Sequence, residues 1–328
     1  MKAVVLKRPC TAEELTIDEV PIPQVKPGWV RIKIKAFGIN RSEMFTRQGH
    51  SPSVKLPRIL GIECAGEIDD PSDSRFCKGQ RVVSLMGGLG RDFDGSYAEY
   101  TLIPADQVYP IAQQMDWTQL AAIPEMYYTA YASLFDVLKL QPGETLLIRG
   151  GTSSVGLAAL QLAKSVGATV ISTSRSADKL SGLKQAGADH AWLDNDSLSE
   201  ELFSQFPQGV HKVLELIGTA TLKPSLTLAA EYGIVCVTGI LGNEWVMNSF
   251  EPMVDVPTAV YLTSFTSTPV KTHLLQELFA YIEKHRIHAP ASAVFPLEQI
   301  SAAHQLMESN TAGGKIVVVT EQPDTEEK

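Results

Sequence analysis

One stretch near the middle of the chain restricts the fold more than any other. The apolar run Thr145-Leu146-Leu147-Ile148-Arg149 passes through the small-residue loop Gly150 to Gly156 into LAALQLAKSVG, which has helical spacing and stops at Gly167. A second apolar run, ATVISTS, follows at once. After it come a helical stretch from Asp178 to Gly187 and the further runs KVLELIG and GIVCVTGI. Strands alternating with helices through short connectors predict a doubly wound parallel sheet, an α/β architecture.

The flanks read differently. Upstream, AVVL, WVRIKIKAFGIN, RVVSLMG and SYAEYTLIP are short runs divided by turn residues, which predicts a compact, mostly-β unit. TQLAAIPEMYYTAYASLFDVLKL then turns helical until Gln141-Pro142-Gly143 stops it. Near the end, the helix THLLQELFAYIEKHRI and the strand KIVVVT are too little to form a domain. Both are expected to pack back on the β unit. The domain reading is therefore a discontinuous first domain, residues 1–122 with 266–328, interrupted by a nucleotide domain at 123–265. The polar tail QPDTEEK is expected to fray.

A chain of 328 residues has room for two such domains, and 44% hydrophobic with 20% charged residues is an ordinary globular balance. With 28 Lys+Arg against 37 Asp+Glu the net charge is -9, so no overall positive field draws nucleic acid or anionic lipid. The start MKAVVLKRPC lacks an apolar signal core, and no run reaches the roughly 18 apolar residues of a membrane span. The expectation is a soluble, cytoplasmic protein. Cys10, Cys64, Cys77 and Cys236 show no C-x-x-C spacing and are expected to be buried, reduced thiols. His285 and His288, three apart without an accompanying carboxylate or cysteine motif, read as a polar helix end, so no metal site is expected.

The loop Gly150 to Gly156, Thr152 included, suits close approach of a pyrophosphate to backbone N–H groups at a helix N-terminus. It is not an intact G-x-G-x-x-G, since Ser153 stands where a middle glycine is common. A plain strand-to-helix turn is the competing reading, and the second strand that follows favours the first. That second strand ends without the Asp or Glu that would hold a ribose 2′-hydroxyl. It ends instead in Ser174-Arg175-Ser176, with Lys179 beyond, a set suited to a 2′-phosphate and hence to NADPH. Arg175 and Lys179 also read as solvated helix-start charges, and Asp178 and Asp194 are near enough in the chain to blunt the preference.

Taken together, several segments resemble the medium-chain dehydrogenase/reductase superfamily and, within it, the zinc-free quinone oxidoreductase-like branch. They are Lys35 to Glu43, Pro57 to Gly66, Gly95 to Tyr100, Ala121 to Pro124, Thr129-Ala130, Gly150 to Gly156, Gly187-Ala188-Asp189, Gly233-Ile234-Val235 with Gly239, and Gly314 to Val317. The resemblance covers nearly the whole length. It implies a GroES-like, mostly-β catalytic domain beside a Rossmann domain. It also implies that Asn40 orients the substrate or nicotinamide side, that Thr129 contacts the nicotinamide ribose, and that Ser153, Ser154 and Val155 contact the pyrophosphate. Gly218, Gly239, Ile240 and Leu241 would line the nicotinamide half, with Phe265 and Lys315 beside it. A homodimer is expected on the same ground, commonly through paired Rossmann edge strands.

Zinc-bearing relatives place a Cys and a Gly-His-Glu where this chain has Asn40-Arg41-Ser42 and Gly61-Ile62-Glu63. Without those ligands, hydride transfer to a simple ketone lacks a Lewis acid for the alkoxide. A quinone or activated alkene gives a delocalised anion instead. The pKa gap between phenol-like and water-like acids is worth on the order of 8 kcal/mol. The reading is an NADPH-dependent, metal-independent reductase of a quinone or other conjugated carbonyl. An alkenal or enoyl double-bond reductase and a low-turnover NADPH-binding redox sensor are the alternatives. Residues 44–51 hold no tyrosine, so Glu43, Tyr127, the neighbouring Tyr128 and solvent are the candidate proton donors.

Overall fold

A computed structural model describes residues 1–321; the tail reading, QPDTEEK at 322–328, lies outside the described residues. The chain forms two compact units, the first from Met1–Glu125, Thr268–Thr272 and Ala289–Lys328, the second from Met126–Ser267 and His273–His288.

The first unit is built on a seven-stranded sheet. Its order is Ala291–Pro296, Lys315–Val319, Trp29–Gly38, Glu63–Asp70, Arg81–Leu85 and Tyr109–Pro110, with Tyr100–Pro104 also paired to Trp29–Gly38. In Trp29–Gly38 the alternation is plain: Val30, Ile32, Ile34 and Ala36 are buried while the residues between them are half-buried, as a strand with one face on the core requires. Lys315–Val319 runs antiparallel to it, with Val318 opposite Phe37 and Val317 opposite Gly38. That register carries Lys315 past the strand end toward Asn40, with Ile39 N–H donating to the Ile316 carbonyl at 3.0 Å. Glu63 opens the neighbouring strand, so three chain segments end side by side.

The second unit holds a six-stranded, all-parallel sheet in the order His190–Leu193, Thr169–Ser174, Thr145–Arg149, Val210–Glu215, Ala229–Val237 and Tyr261–Ser264. The order turns back between Thr145–Arg149 and Val210–Glu215, the place where open α/β sheets bind ligands at their carboxyl edge. Leu147, Ile171, Val213 and Val235 fill the core.

Two expectations are corrected. Of the two late elements, only the strand joins the first unit. The helix Thr272–His285 belongs almost wholly to the second, where Tyr281 packs edge-on against Tyr131 at 5.6 Å between ring centroids and its hydroxyl lies 2.9 Å from Ser165 Oγ. Its buried stripe of Leu274, Leu275, Leu278, Phe279 and Ile282 was legible; the surface that the stripe covers was not. The thiols also differ among themselves: Cys64 and Cys236 are buried, Cys10 is intermediate and Cys77 is exposed. No helix among the described residues is long and apolar enough to cross a membrane.

Candidate active site

The loop after Thr145–Arg149 is shaped by its glycines. Gly150 has φ of 82°, a left-handed conformation that suits glycine. A Cβ on Gly151 would overlap the Ser172 hydroxyl, and one on Gly156 would come within 2.7 Å of the Gly150 and Gly151 carbonyls. Ser153 explains the departure from a glycine pattern, because it is the N-cap of the helix Ser154–Ser165. Its hydroxyl accepts from Gly156 N–H at 3.1 Å and donates to the Gly150 carbonyl at 2.8 Å. That side chain is therefore spent on the turn. Helix geometry leaves the Ser154 and Val155 N–H groups without intrahelical acceptors, and half-buried Thr152 precedes them in the loop.

Apart from Tyr127 and Thr129, the remaining candidates of this unit follow the carboxyl ends of its strands. Gly151 N–H donates to Thr173 O at 3.0 Å, which ties the loop to the strand ending at Ser174. Ser174 is buried and its hydroxyl accepts from Ser176 N–H at 3.2 Å. Arg175 is exposed, and Lys179 closes a short 3-10 turn. Asp178 accepts the Ser176 hydroxyl at 2.5 Å, and that bond is the main cause holding its carboxyl below the usual range. On the other side, Leu241 and Gly242 N–H groups donate to Leu216 and Ile217 carbonyls at 3.0 and 2.8 Å, and a Cβ on Gly218 would lie 3.1 Å from Gly239 O and 3.3 Å from Ile240 Cα. Gly218, Gly239, Ile240 and Leu241 are thus one surface. Phe265 adjoins it, with its N–H on Val237 O at 3.0 Å and its ring 6.2 Å from that of Tyr128. Thr129 is buried on the helix Pro124–Tyr131.

Sequence reasoning missed two buried charges beneath this edge. Arg149 binds Asp194 through both Nε, at 3.0 Å, and Nη2, and also reaches the Thr221 carbonyl and Ser225 Oγ, each at 3.2 Å. Glu215 accepts from Ile217 N–H at 2.7 Å, Gly218 N–H at 3.1 Å, Thr221 Oγ1 at 3.0 Å and the Ser225 hydroxyl. Burial raises the Glu215 carboxyl above its ordinary range, with Ser225 and Arg149 opposing. An arginine closing an otherwise apolar strand was the available signal, because a buried guanidinium requires an acid.

In the first unit a second cluster gathers at the three strand ends. Lys315, 1% exposed in its side chain, pairs with Glu63 Oε1 and donates to Asn40 Oδ1 at 2.6 Å. Asn40 Nδ2 donates to Glu63 Oε1 at 2.8 Å and Glu43 Oε1 at 3.3 Å, while Glu63 Oε2 accepts from Glu125 N–H at 2.7 Å. Gly38 leaves room for the pair, since an added Cβ would overlap the ends of both the Lys315 and Glu63 side chains. Glu43 also accepts from Ile62 N–H at 3.2 Å and from the half-buried Ser42 hydroxyl at 3.0 Å. Burial raises its carboxyl to about 7, with Lys315 opposing and Glu63 adding to the rise.

Two candidate roles fall on this geometry. Lys315 is no contact for a cofactor, because its ammonium is buried and occupied by Glu63 and Asn40. Tyr127 is not placed to give up a proton: its hydroxyl is bonded to Gln161 Oε1, the His288 carbonyl lies 3.5 Å away, and burial raises its pKa well above the usual phenol range.

A family model described as "Alcohol dehydrogenase GroES-like domain" matches residues 26–113, and one described as "Zinc-binding dehydrogenase" matches residues 186–318. Human quinone oxidoreductase is 29% identical over 307 residues, covering 92% of this chain and 91% of that protein. The solved structure of a mycobacterial protein complexed with NADPH superposes with a TM-score of 0.85 at 26% identity, over 97% of this chain and 99% of that one. An NAD-dependent alcohol dehydrogenase superposes with a TM-score of 0.83 at 26% identity, over 98% of this chain and all of that one. The zinc in the second description does not fit these residues. Asn40 and Glu63 are committed to an internal ammonium, Ile62 offers no donor, and among the described residues no three His, Cys, Asp or Glu side chains converge as ligands. The donors that a dinucleotide's pyrophosphate would need are the Ser154 and Val155 N–H groups that open the helix Ser154–Ser165.

Proposed function

We propose, from the premise that this chain belongs to the medium-chain dehydrogenase/reductase family and to its quinone oxidoreductase-like branch, that it delivers a hydride from NADPH to a quinone or another conjugated carbonyl without a metal. Its class as an NAD(P)H-using oxidoreductase follows from the family. The 2′-phosphate and the acceptor are the added reading.

The observation that carries the acceptor is the buried Lys315–Glu63 pair with Asn40 across it. The Lys315 ammonium is already neutralised by the Glu63 carboxylate, so it is poorly placed to stabilise a localised alkoxide. A product whose negative charge spreads over a ring or an enolate needs no such help. Bound NADPH supplies the hydride. The chain's part is positional: Ser154 and Val155 amides with Thr152 hold the pyrophosphate, and Ser174, Arg175 and Lys179 hold the 2′-phosphate. Gly218, Gly239, Ile240, Leu241, Phe265 and Thr129 shape the nicotinamide side. Asn40, fixed by Lys315 and Glu63, orients the acceptor. Glu43, half-protonated near neutrality, supplies the proton, with the Ser42 hydroxyl 3.0 Å away as the group nearer to solvent.

The same reading includes a homodimer. The sheet's edge strand Tyr261–Ser264 exposes Tyr261 and Leu262, and the preceding segment exposes Trp245, Val246 and Met253, an apolar surface suited to a second copy. Light scattering at micromolar concentration should return twice 35.7 kDa, and a monomer mass would remove the dimer.

The reaction is tested by following NADPH absorbance with a 1,2-quinone, a 1,4-quinone and a 2-alkenal, and NADP reduction with a primary alcohol. Quinone turnover insensitive to chelators is expected. Turnover confined to the alkenal would remove the quinone and leave only a conjugated double bond as acceptor, and alcohol oxidation abolished by a chelator would overturn the reading.

A further inference from the structure

We infer that Arg149 is a specificity-determining positioning residue: by clamping Asp194 it removes the carboxylate that would otherwise stand at the adenosine end of the cofactor site and oppose a 2′-phosphate. This deepens the NADPH reading above and rests on it.

The argument begins with position. Asp194 follows directly on the strand His190–Leu193, and its N–H donates to the Ser174 carbonyl at 2.9 Å, so its backbone touches the residue that begins Ser174-Arg175-Ser176. A carboxylate at that point would accept ribose hydroxyls and repel a phosphate dianion, the behaviour that selects NADH. Here its side chain turns the other way. Oδ2 accepts Thr173 Oγ1 at 2.7 Å and Arg149 Nε at 3.0 Å, and Oδ1 accepts Arg149 Nη2. Thr173 and Ser174 are consecutive in a strand, so their side chains leave on opposite faces. Asp194 follows Thr173, away from the Ser174 hydroxyl. Both ionic side chains are 5% exposed, which leaves the acid little access to solvent or ligand.

Arg149 holds this arrangement rather than merely accompanying it. Its fork binds the carboxylate at two points, and Nη1 is anchored at 3.2 Å to the Thr221 carbonyl and to Ser225 Oγ. The guanidinium therefore cannot follow Asp194 outward. Lysine, a point charge with no second parallel donor, would hold the acid less firmly.

The test measures dissociation constants of NADPH and NADH, and of the fragments 2′,5′-ADP and 5′-AMP, by fluorescence or calorimetric titration. It compares wild type with Arg175→Ala, Arg149→Met, Asp194→Asn and the Arg149→Met/Asp194→Asn double variant. Arg149→Met should lower the NADPH:NADH affinity ratio by about tenfold or more, a loss repeated for 2′,5′-ADP against 5′-AMP. The double variant should restore the ratio to within about threefold of wild type, because the repelling charge has gone. Asp194→Asn alone should leave the ratio unchanged or raise it. That arm keeps the inference open to refutation if Arg149→Met does not fold. A merely structural Arg149 predicts equal losses for both cofactors and no rescue, and that result overturns the inference. So does an Asp194→Asn variant with a lowered ratio. A wild type without NADPH preference, or an Arg175→Ala variant that weakens both cofactors equally, removes the NADPH reading itself, which separates the two failures.

Discussion

Each unit holds a cluster in which a buried cation meets carboxylates, Arg149 in the second and Lys315 in the first, and the two clusters resolve the cost differently. In the second unit Arg149 binds Asp194 in a two-point fork, and Glu215 collects four donors from Ile217, Gly218, Thr221 and Ser225. In the first, Lys315 is a point charge given over to Glu63 and Asn40, while Glu43 makes do with Asn40, Ser42 and one backbone N–H. Burial raises the carboxyls of both Glu215 and Glu43. At Glu215 every neighbour, Ser225 and Arg149 first, opposes the rise; at Glu43 Lys315 opposes it but the adjacent Glu63 adds to it, and the carboxyl stands at about 7. The lesson is that a fully satisfied buried charge serves as scaffold, whereas one left short of partners is free to exchange a proton near neutral pH.

The sharpest way to break the contrast is Lys315→Met, which strands Glu63 in the interior. Denaturant unfolding should show a loss of about 3–5 kcal/mol, with partial recovery in Lys315→Met/Glu63→Gln. Next is Glu43→Gln. If Glu43 gives the proton, kcat should fall by about 10²-fold or more, and the decline of wild-type kcat as pH rises through about 7 should flatten in the variant. The stability sign follows from the same shift. The folded carboxyl holds its proton more tightly than the unfolded one near 4.5, so wild type loses stability as pH rises between about 4.5 and 7, and Glu43→Gln should not. Glu215→Gln tests the scaffold cluster and should cost about 1–3 kcal/mol in unfolding, with no new pH inflection in kcat. The smallest effect belongs to Tyr127→Phe, which should leave kcat within about twofold and cost about 1 kcal/mol of stability for the lost bond to Gln161.

How much of this was legible in the sequence depended on distance along the chain. The parallel sheet and its glycine-shaped turn into a helix were readable because each is written within a few residues. Ser153 looked like a degraded glycine, since its capping role appears only once the helix start is fixed. Lys315 and Glu63 lie 252 residues apart and meet through the register that sets Val318 opposite Phe37, information no local pattern holds. Asp194 was noticed as a nearby acid, but its direction depends on the alternation of Thr173 and Ser174 and on an arginine two strands away. The helix Thr272–His285 advertised an apolar face without naming the surface it covers.

Gly38 lends this cluster a hidden vulnerability. A methyl group there would press on the Lys315 ammonium and the Glu63 carboxylate together, so a substitution that adds no charge would still part a buried ion pair. Its damage should surface in the acidity of Glu43, a residue five positions downstream that the methyl group was never meant to reach.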